Sequence, residues 1–436
     1  MSLTQDLVRL IRAKPIVDSD LGSAALYFLD AAANAVAGRK SAPGHVLSTW
    51  TKSVAKSAGL DAGREALHLG GLIHTLETDD LHRASVVHPG CVVVPAVISL
   101  ARKTGAGGHD ALSATLQGFE ACCRVGMAVG PAHYKIWHNT GTCGPFGSAM
   151  AAACLLGLDD DQAMHALGNA GTQAAGLWQF LETGAMSKHL HAGRAAEAGV
   201  VAAELARFGF TGAPAILEGE KGFFAGACPD PDVGAVTRAP DARWQLHETS
   251  IKPWPSCRHT HPVIDGALDI HAQLQGRKIQ SVAIDTYQAA VDVCDRPLPQ
   301  SEYEAKFSLY HTAAAALTDG EVTFNSFDAP ARERLAGLRS RVRAGAGKPF
   351  VSNYPKSWGA RIEVECTDAS HLSAERVNCK GDPEMMLDAN EMKAKARVLL
   401  AFGGLDEAAS TSLIESILAM AEDGPMPELL SNTMEK

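Results

Sequence analysis

Between Glu77 and Gly90 the chain sets three carboxylates (Glu77, Asp79, Asp80) and two imidazoles (His82, His88) within fourteen residues. Three later stretches are comparably dense in polar chemistry. They are Trp137-His138-Asn139-Thr140, then Met186-Ser187-Lys188-His189-Leu190-His191, then Lys252-Pro253-Trp254-Pro255-Ser256-Cys257-Arg258-His259-Thr260-His261. Acids, imidazoles and lysines meeting in one cleft suit proton transfer on a small anionic molecule.

Each cluster has a plainer reading beside the chemical one. Val86-Val87 and the run Cys91 to Val94 flank His88 and imply partial burial. A partly desolvated histidine beside a carboxylate has a set tautomer and a tuned pKa, as an acid or base requires. The plain alternative is a solvated acidic loop. The polar, glycine-punctuated loop at 137–142 feeds a helix expected from Phe146. Such a loop offers N–H donors and the positive end of a dipole to an anion, or simply caps the helix. Lys188, held among apolar neighbours, can act as base or clamp a carboxylate; most lysines instead snorkel at the surface. The Lys252 cluster is stiffened by Pro253 and Pro255 and falls where two domains are expected to meet, a favoured place for ligands. It reads equally as a rigid linker. The pairs His189-x-His191 and His259-x-His261 raise a metal, but no third helix-spaced ligand or H-E-x-x-H pattern accompanies them, so none is expected.

Bulk properties narrow the field. The net charge is −10 and the pI about 5.9, which argues against a nucleic-acid partner. Hydrophobic residues make up 46% and charged residues 20%, ordinary for a globular chain. None of the ten cysteines forms a C-x-x-C pair, and several lie in apolar stretches as small hydrophobes. Residues 1–14 lack a signal-peptide apolar region, and no apolar run approaches the roughly 18 residues of a membrane span. A cytoplasmic, reduced protein without membrane contact is expected. No Walker loop, G-x-S-x-G elbow or dinucleotide fingerprint occurs, and the glycine-rich 105–108 and 345–347 read as plain turns.

The elements that must position these residues follow from periodicity. Helical patterns run over 18–37, 61–76, 110–129, 146–156 and 195–208, with Asp159 and Gln162 forming a capping-box signature. The run Gly147-Ser148-Ala149-Met150-Ala151-Ala152-Ala153 implies closely approaching helices. After Pro253 the texture becomes mixed. Helices are expected at 262–274, 304–317 and 329–338, and alternating strands at 279–287, 360–367 and 374–377. Asp388 with Glu391 opens a helix to about 402, and 407–420 is helical again. At 436 residues two domains are the prior. The expected fold is mainly α: a large all-helical domain built from both chain ends (1–246 and 389–436), with a smaller α+β lid domain (247–388) inserted.

These clusters, in this order, resemble the MmgE/PrpD family, which includes 2-methylcitrate dehydratase, cis-aconitate decarboxylase and iminodisuccinate epimerase. The carrying residues are Glu77-x-Asp79-Asp80-x-His82 through His88-Pro89-Gly90, His138-x-Thr140, and Ser187-Lys188-x-Leu190-His191-x-Gly193. They continue with Lys252 to Cys257, His261, and Glu304-Ala305-Lys306-Phe307-Ser308. The resemblance implies a helical domain plus lid, a homodimer, and no metal or organic cofactor. It puts Glu77, His88, His138, Lys188 and Lys252 in the active cleft as catalytic residues. Asp80, His82, Thr140, Cys257, Arg258 and His311 join them as substrate-binding candidates. Two positions depart from the pattern: Leu81 where threonine is frequent, and His311 where decarboxylase-like members carry tyrosine. The expected function is a cofactor-independent lyase of the dehydratase type on a small di- or tricarboxylate. An epimerase is the second reading and a decarboxylase the third. In each, lysines hold carboxylates, a histidine moves the proton, and Glu77 or Asp80 orients an imidazole.

Overall fold

The computed structural model describes residues 2–55 and 60–427. The chain is mainly α and divides into two compact units, 1–249 with 388–436, and 250–387. Among the described residues no helix is long and apolar enough to cross a membrane.

The first unit is helical. Asp18–Gly38, Ala62–Ile73, Gly90–Thr104, Gly108–Ala128, Asn139–Leu155, Asp160–Gly171 and Ser187–Arg207 build it, and the carboxyl-terminal Ala389–Phe402 packs back onto Asp18–Gly38. The starts obey local chemistry. Asp61 accepts a hydrogen bond from the Arg64 amide at 2.9 Å. Asp159 with Gln162, and Asp388 with Glu391, close reciprocal capping boxes, each satisfying amides that the first helical turn leaves without partners.

Small residues set how near these helices come. A Cβ on Gly199 would lie 2.1 Å from Ser148 Oγ and 2.3 Å from the Ala149 amide. One on Gly193 would lie 2.4 Å from the Leu67 carbonyl oxygen, and one on Gly70 would lie 2.8 Å from that of Cys91. Backbones of Ala62–Ile73, Gly90–Thr104, Asn139–Leu155 and Ser187–Arg207 therefore touch where any side chain would force them apart. The ends of those same helices carry the site described below. All ten cysteines are free thiols and nine are buried, so they act as small core hydrophobes.

The second unit wraps a four-stranded sheet: β1 (Ile279–Thr286), β2 (Val342–Ala346), β3 (Ala360–Cys366) and β4 (His371–Arg376), in the order β2-β1-β3-β4. β1 pairs parallel with β2 and antiparallel with β3, which pairs antiparallel with β4. Val282, Ile284 and Thr286 all point inward, as the alternation requires, and helix His261–Leu274 packs on β3 and β4. Two expectations need correction. The glycines near 345 do not make a turn: Val342–Ala346 is a strand, whose parallel ladder to β1 is a tertiary pairing without a local signal. The helix expected over 304–317 is two, Glu302–Lys306 and Leu309–Asp319, because Ser308 breaks it and caps the second with its hydroxyl on the His311 amide at 3.0 Å.

Candidate active site

Helix Ala62–Ile73 ends at His74, and the acidic segment begins there. Glu77 stands at φ 61°, in the left-handed region that a residue with a Cβ seldom adopts. Such a conformation costs on the order of 1–3 kcal/mol and persists only where surrounding contacts fix it. The contact is plain: the Glu77 carboxylate meets the Lys188 ammonium, and both groups are buried. Lys188 lies in the first turn of Ser187–Arg207, facing inward while its neighbours Met186 and Leu190 face out. It does not snorkel.

Around this pair lies a group of imidazoles. Asp79 Oδ2 is 2.6 Å from His74 Nδ1 and 3.2 Å from His88 Nδ1. The His74 ring meets His88 edge-on (centroids 4.7 Å apart, 69°) and stacks on His138 (5.6 Å, 16°). His138 Nδ1 in turn lies 3.3 Å from His191 Nδ1, and His189 approaches His74 at 6.2 Å. His74 and His138 are enclosed, whereas 12% of the His88 side chain remains exposed. A cavity of about 700 Å³ opens on the His191 side, lined in part by Trp137, Gly141, Phe180 and Arg194.

Other residues of the segment hold it in place. Asp80 accepts the Gly90 amide at 3.0 Å, and burial, with Asp79 and Asp30 nearby, holds its carboxyl well above the ordinary range. Thr140 Oγ1 accepts the His88 amide at 3.1 Å, and His82 Nδ1 contacts Ser85 Oγ at 2.8 Å. Lys395, from the carboxyl-terminal helix, donates to the Thr78 carbonyl at 2.7 Å and pairs with Asp30. Asp79 is thus the carboxylate that lies against both His74 and His88. Glu77 faces an ammonium and Asp80 a backbone amide.

A second difference concerns His138. The helix begins at Asn139 rather than near Phe146, with His138 as its N-cap residue. The His138 carbonyl accepts the Gly141 and Thr142 amides, so Thr140 and Gly141 belong to the first turn. The glycines read as loop serve approach instead: a Cβ on Gly141 would sit 2.5 Å from the Ala175 carbonyl oxygen.

The second unit places its own candidates. Lys252 is fully buried. Arg258 pairs with Asp382, which also accepts Ser250 Oγ at 2.8 Å and the Cys379 amide at 2.9 Å. The Cys257 amide donates to the Lys306 carbonyl at 3.0 Å. His259 stacks on Trp358 and contacts the Tyr287 hydroxyl at 2.6 Å, while His261 turns to the Ser256 carbonyl, so the two do not share a ligand position. His311 Nε2 faces the Ser326 carbonyl at 2.7 Å. Among the described residues His74, Asp79 and Cys91 carry donor atoms within 4.8 Å of one another. Two of these residues, His74 and Asp79, also contact each other directly as an imidazole–carboxylate pair.

Burial sets the charge of these rings. It lowers the His74 pKa to about 3 and those of His82 and His189 to about 4, against an ordinary value of 6.5. Such rings are neutral in the fold and protonate first in the unfolded chain, so stability is full above about pH 6.5 and falls below it. Each contributes a slope of about 1.4 kcal/mol per pH unit between its folded and unfolded values. Urea titrations followed by circular dichroism should therefore show the midpoint falling steadily from about pH 7 to about pH 5. An unchanged midpoint would mean that the rings are not neutral in the fold.

Sequence reasoning singled out Glu77, His88, His138, Lys188 and Lys252; the first four lie together in the first unit, and Lys252 is buried in the second. It noted His189 and His191 beside Lys188 without giving them a role, and it passed over His74. The signal for His74 was its place five residues before Asp79, at a helix end where spacing rules no longer apply.

The family model for the MmgE/PrpD N-terminal domain matches residues 7–235, and that for the MmgE/PrpD C-terminal domain matches residues 254–419. Human (Homo sapiens) cis-aconitate decarboxylase is 30% identical over 278 residues, covering 59% of this chain and 56% of that protein. The chain thus spans little more than half of that relative's length. A cis-aconitate decarboxylase-like protein of Aspergillus oryzae is 27% identical, covering 83% of this chain and 80% of its own. A cis-aconitate decarboxylase of Aspergillus terreus is 25% identical, with 84% and 80% covered.

Proposed function

The chain belongs to the MmgE/PrpD family, and from that premise we propose that it is a lyase acting, without cofactor, on a small tricarboxylate. The observation that carries the proposal is one buried cluster in which Asp79 hydrogen-bonds His74 and lies 3.2 Å from His88, beside the Lys188–Glu77 pair. Relatives named cis-aconitate decarboxylases make an aconitate-like polyacid the first substrate class to test.

The proposed reaction eliminates water. A base removes the proton beside a carboxylate, its C–H electrons form the alkene, and hydroxide leaves with a proton from an acid. The two roles need two separable groups. Burial, His74 and Lys188 hold the His138 pKa well below the ordinary range, which suits a neutral base. His88, backed by Asp79 and the more exposed of the two, suits the donor. Lys188 holds a substrate carboxylate where negative charge builds. Lys252 enters through the family likeness as a second cation for the same reaction.

Decarboxylation is the second reading, favoured by the relatives' names. There the electrons of the C–CO2 bond shift into a new alkene while the old one takes a proton, so one imidazole donor suffices. Incubation with citrate, 2-methylcitrate, cis-aconitate and amino-dicarboxylates in deuterated water separates the readings. New alkene absorbance from a hydroxy acid supports dehydration, and carbon dioxide release supports decarboxylation. Deuterium uptake without net conversion indicates epimerisation and overturns the lyase assignment, as does a panel left wholly unchanged.

A further inference from the structure

We propose that His74 is a positioning residue for this reaction, sharing one oxygen of Asp79 with His88 and so fixing the tautomer and aim of His88. The inference rests on reading His88 as a proton carrier. Its geometric basis is independent of substrate. His74 Nδ1 and His88 Nδ1 approach the same atom, Asp79 Oδ2, at 2.6 and 3.2 Å. A carboxylate oxygen only accepts, so His74 donates its Nδ1–H to it, while His88 Nδ1 stands at ion-pair distance, where the carboxylate charge favours a proton on that nitrogen. His74 also presses its edge on His88 and its face on His138, so it touches both imidazoles assigned to proton transfer.

Packing alone does not explain this ring. It is fully buried, yet its Nε2 finds no hydrogen-bond partner among the described residues, where an apolar ring would fit without that cost. What the imidazole adds is the Nδ1–H donated to Asp79. That donation disperses the carboxylate charge and moderates its pull on His88. Lys188 with Glu77, His138 and His189 are the other titratable groups of this cluster, and Cys91 Sγ donates to the His88 carbonyl at 3.2 Å. Orienting partners of this kind typically contribute 10- to 100-fold when removed.

Two substitutions test it. His74→Asn keeps an N–H near the Nδ1 position, whereas His74→Phe keeps the ring and removes the donor. His74→Phe is expected to lower kcat about 10- to 100-fold with KM little changed. The alkaline limb of its kcat/KM profile, where the donor His88 loses its proton, should move up by about one pH unit, as the undivided carboxylate favours a protonated His88. His74→Asn should return that limb to its wild-type position. Equal profiles for the two variants, or a wild-type limb in His74→Phe, overturn the proposal. If His74→Phe does not fold, His74→Gln, whose amide reaches the Nε2 position, replaces it. Nitrogen-15 spectra of ring-labelled protein decide the point without turnover. The Nδ1–H tautomer of His88 should be single in wild type and His74→Asn, and mixed in His74→Phe. Were the wild type inactive on every polyacid while these spectra behaved so, the reaction would be misassigned and the coupling of His74 to His88 would stand. Unchanged His88 spectra in His74→Phe would remove the coupling whatever the reaction.

Discussion

Replacing His88 with asparagine is expected to lower kcat by about a hundred- to ten-thousand-fold, the usual contribution of a positioned proton carrier. The substitution is chosen because the asparagine amide stands near the Nδ1 position and keeps a donor toward Asp79, which His88 approaches at 3.2 Å. Little else changes, since His88 is the more open member of the imidazole pair. Steady-state rates on the substrate found with the wild type, beside a urea titration for each protein, make the check. A loss of less than about fivefold at unchanged stability would assign proton transfer to another group.

The second large effect is at Lys188. Lys188→Met removes the ammonium yet keeps the length of the buried stem, leaving the Glu77 carboxylate buried without that partner. Breaking a buried ion pair on one side costs about 3–5 kcal/mol, so the urea midpoint should fall sharply. Activity should fall as well, by about a hundredfold or more in kcat/KM, if the ammonium also steadies a substrate carboxylate. The double variant Lys188→Met/Glu77→Gln separates the two effects. It removes the orphaned charge and should regain much of the stability while staying inactive. Recovery of activity along with stability would confine Lys188 to a structural role.

Much of this fold could be read in the chain because its signals are local. Asp159 with Gln162 and Asp388 with Glu391 announce helix starts through their own amides. β1 alternates because only Val282, Ile284 and Thr286 face inward. Val342–Ala346 escaped because a short parallel strand with a glycine next to its end forms only through its neighbour. The helix from Asn139 escaped because Gly141 and Gly144, ordinarily breakers, are required for contact with Ala175 and Val92. The site divides in the same way. Glu77, His88, His138 and Lys188 announced themselves by density of chemistry. The choice among three neighbouring carboxylates did not, since the turn at Glu77 decides which of them faces an imidazole. His74 carried no motif of its own, and its meaning lies wholly in what surrounds it.

One measurement tests the central claim most directly: conversion of the polyacid panel in deuterated water, followed by proton and carbon-13 NMR for the wild type and His88→Asn side by side. The expected result is wild-type elimination from one of the polyacids, with solvent deuterium exchanged at the carbon beside a carboxylate, and both signals nearly lost in the variant. Undiminished elimination and exchange in His88→Asn would contradict it.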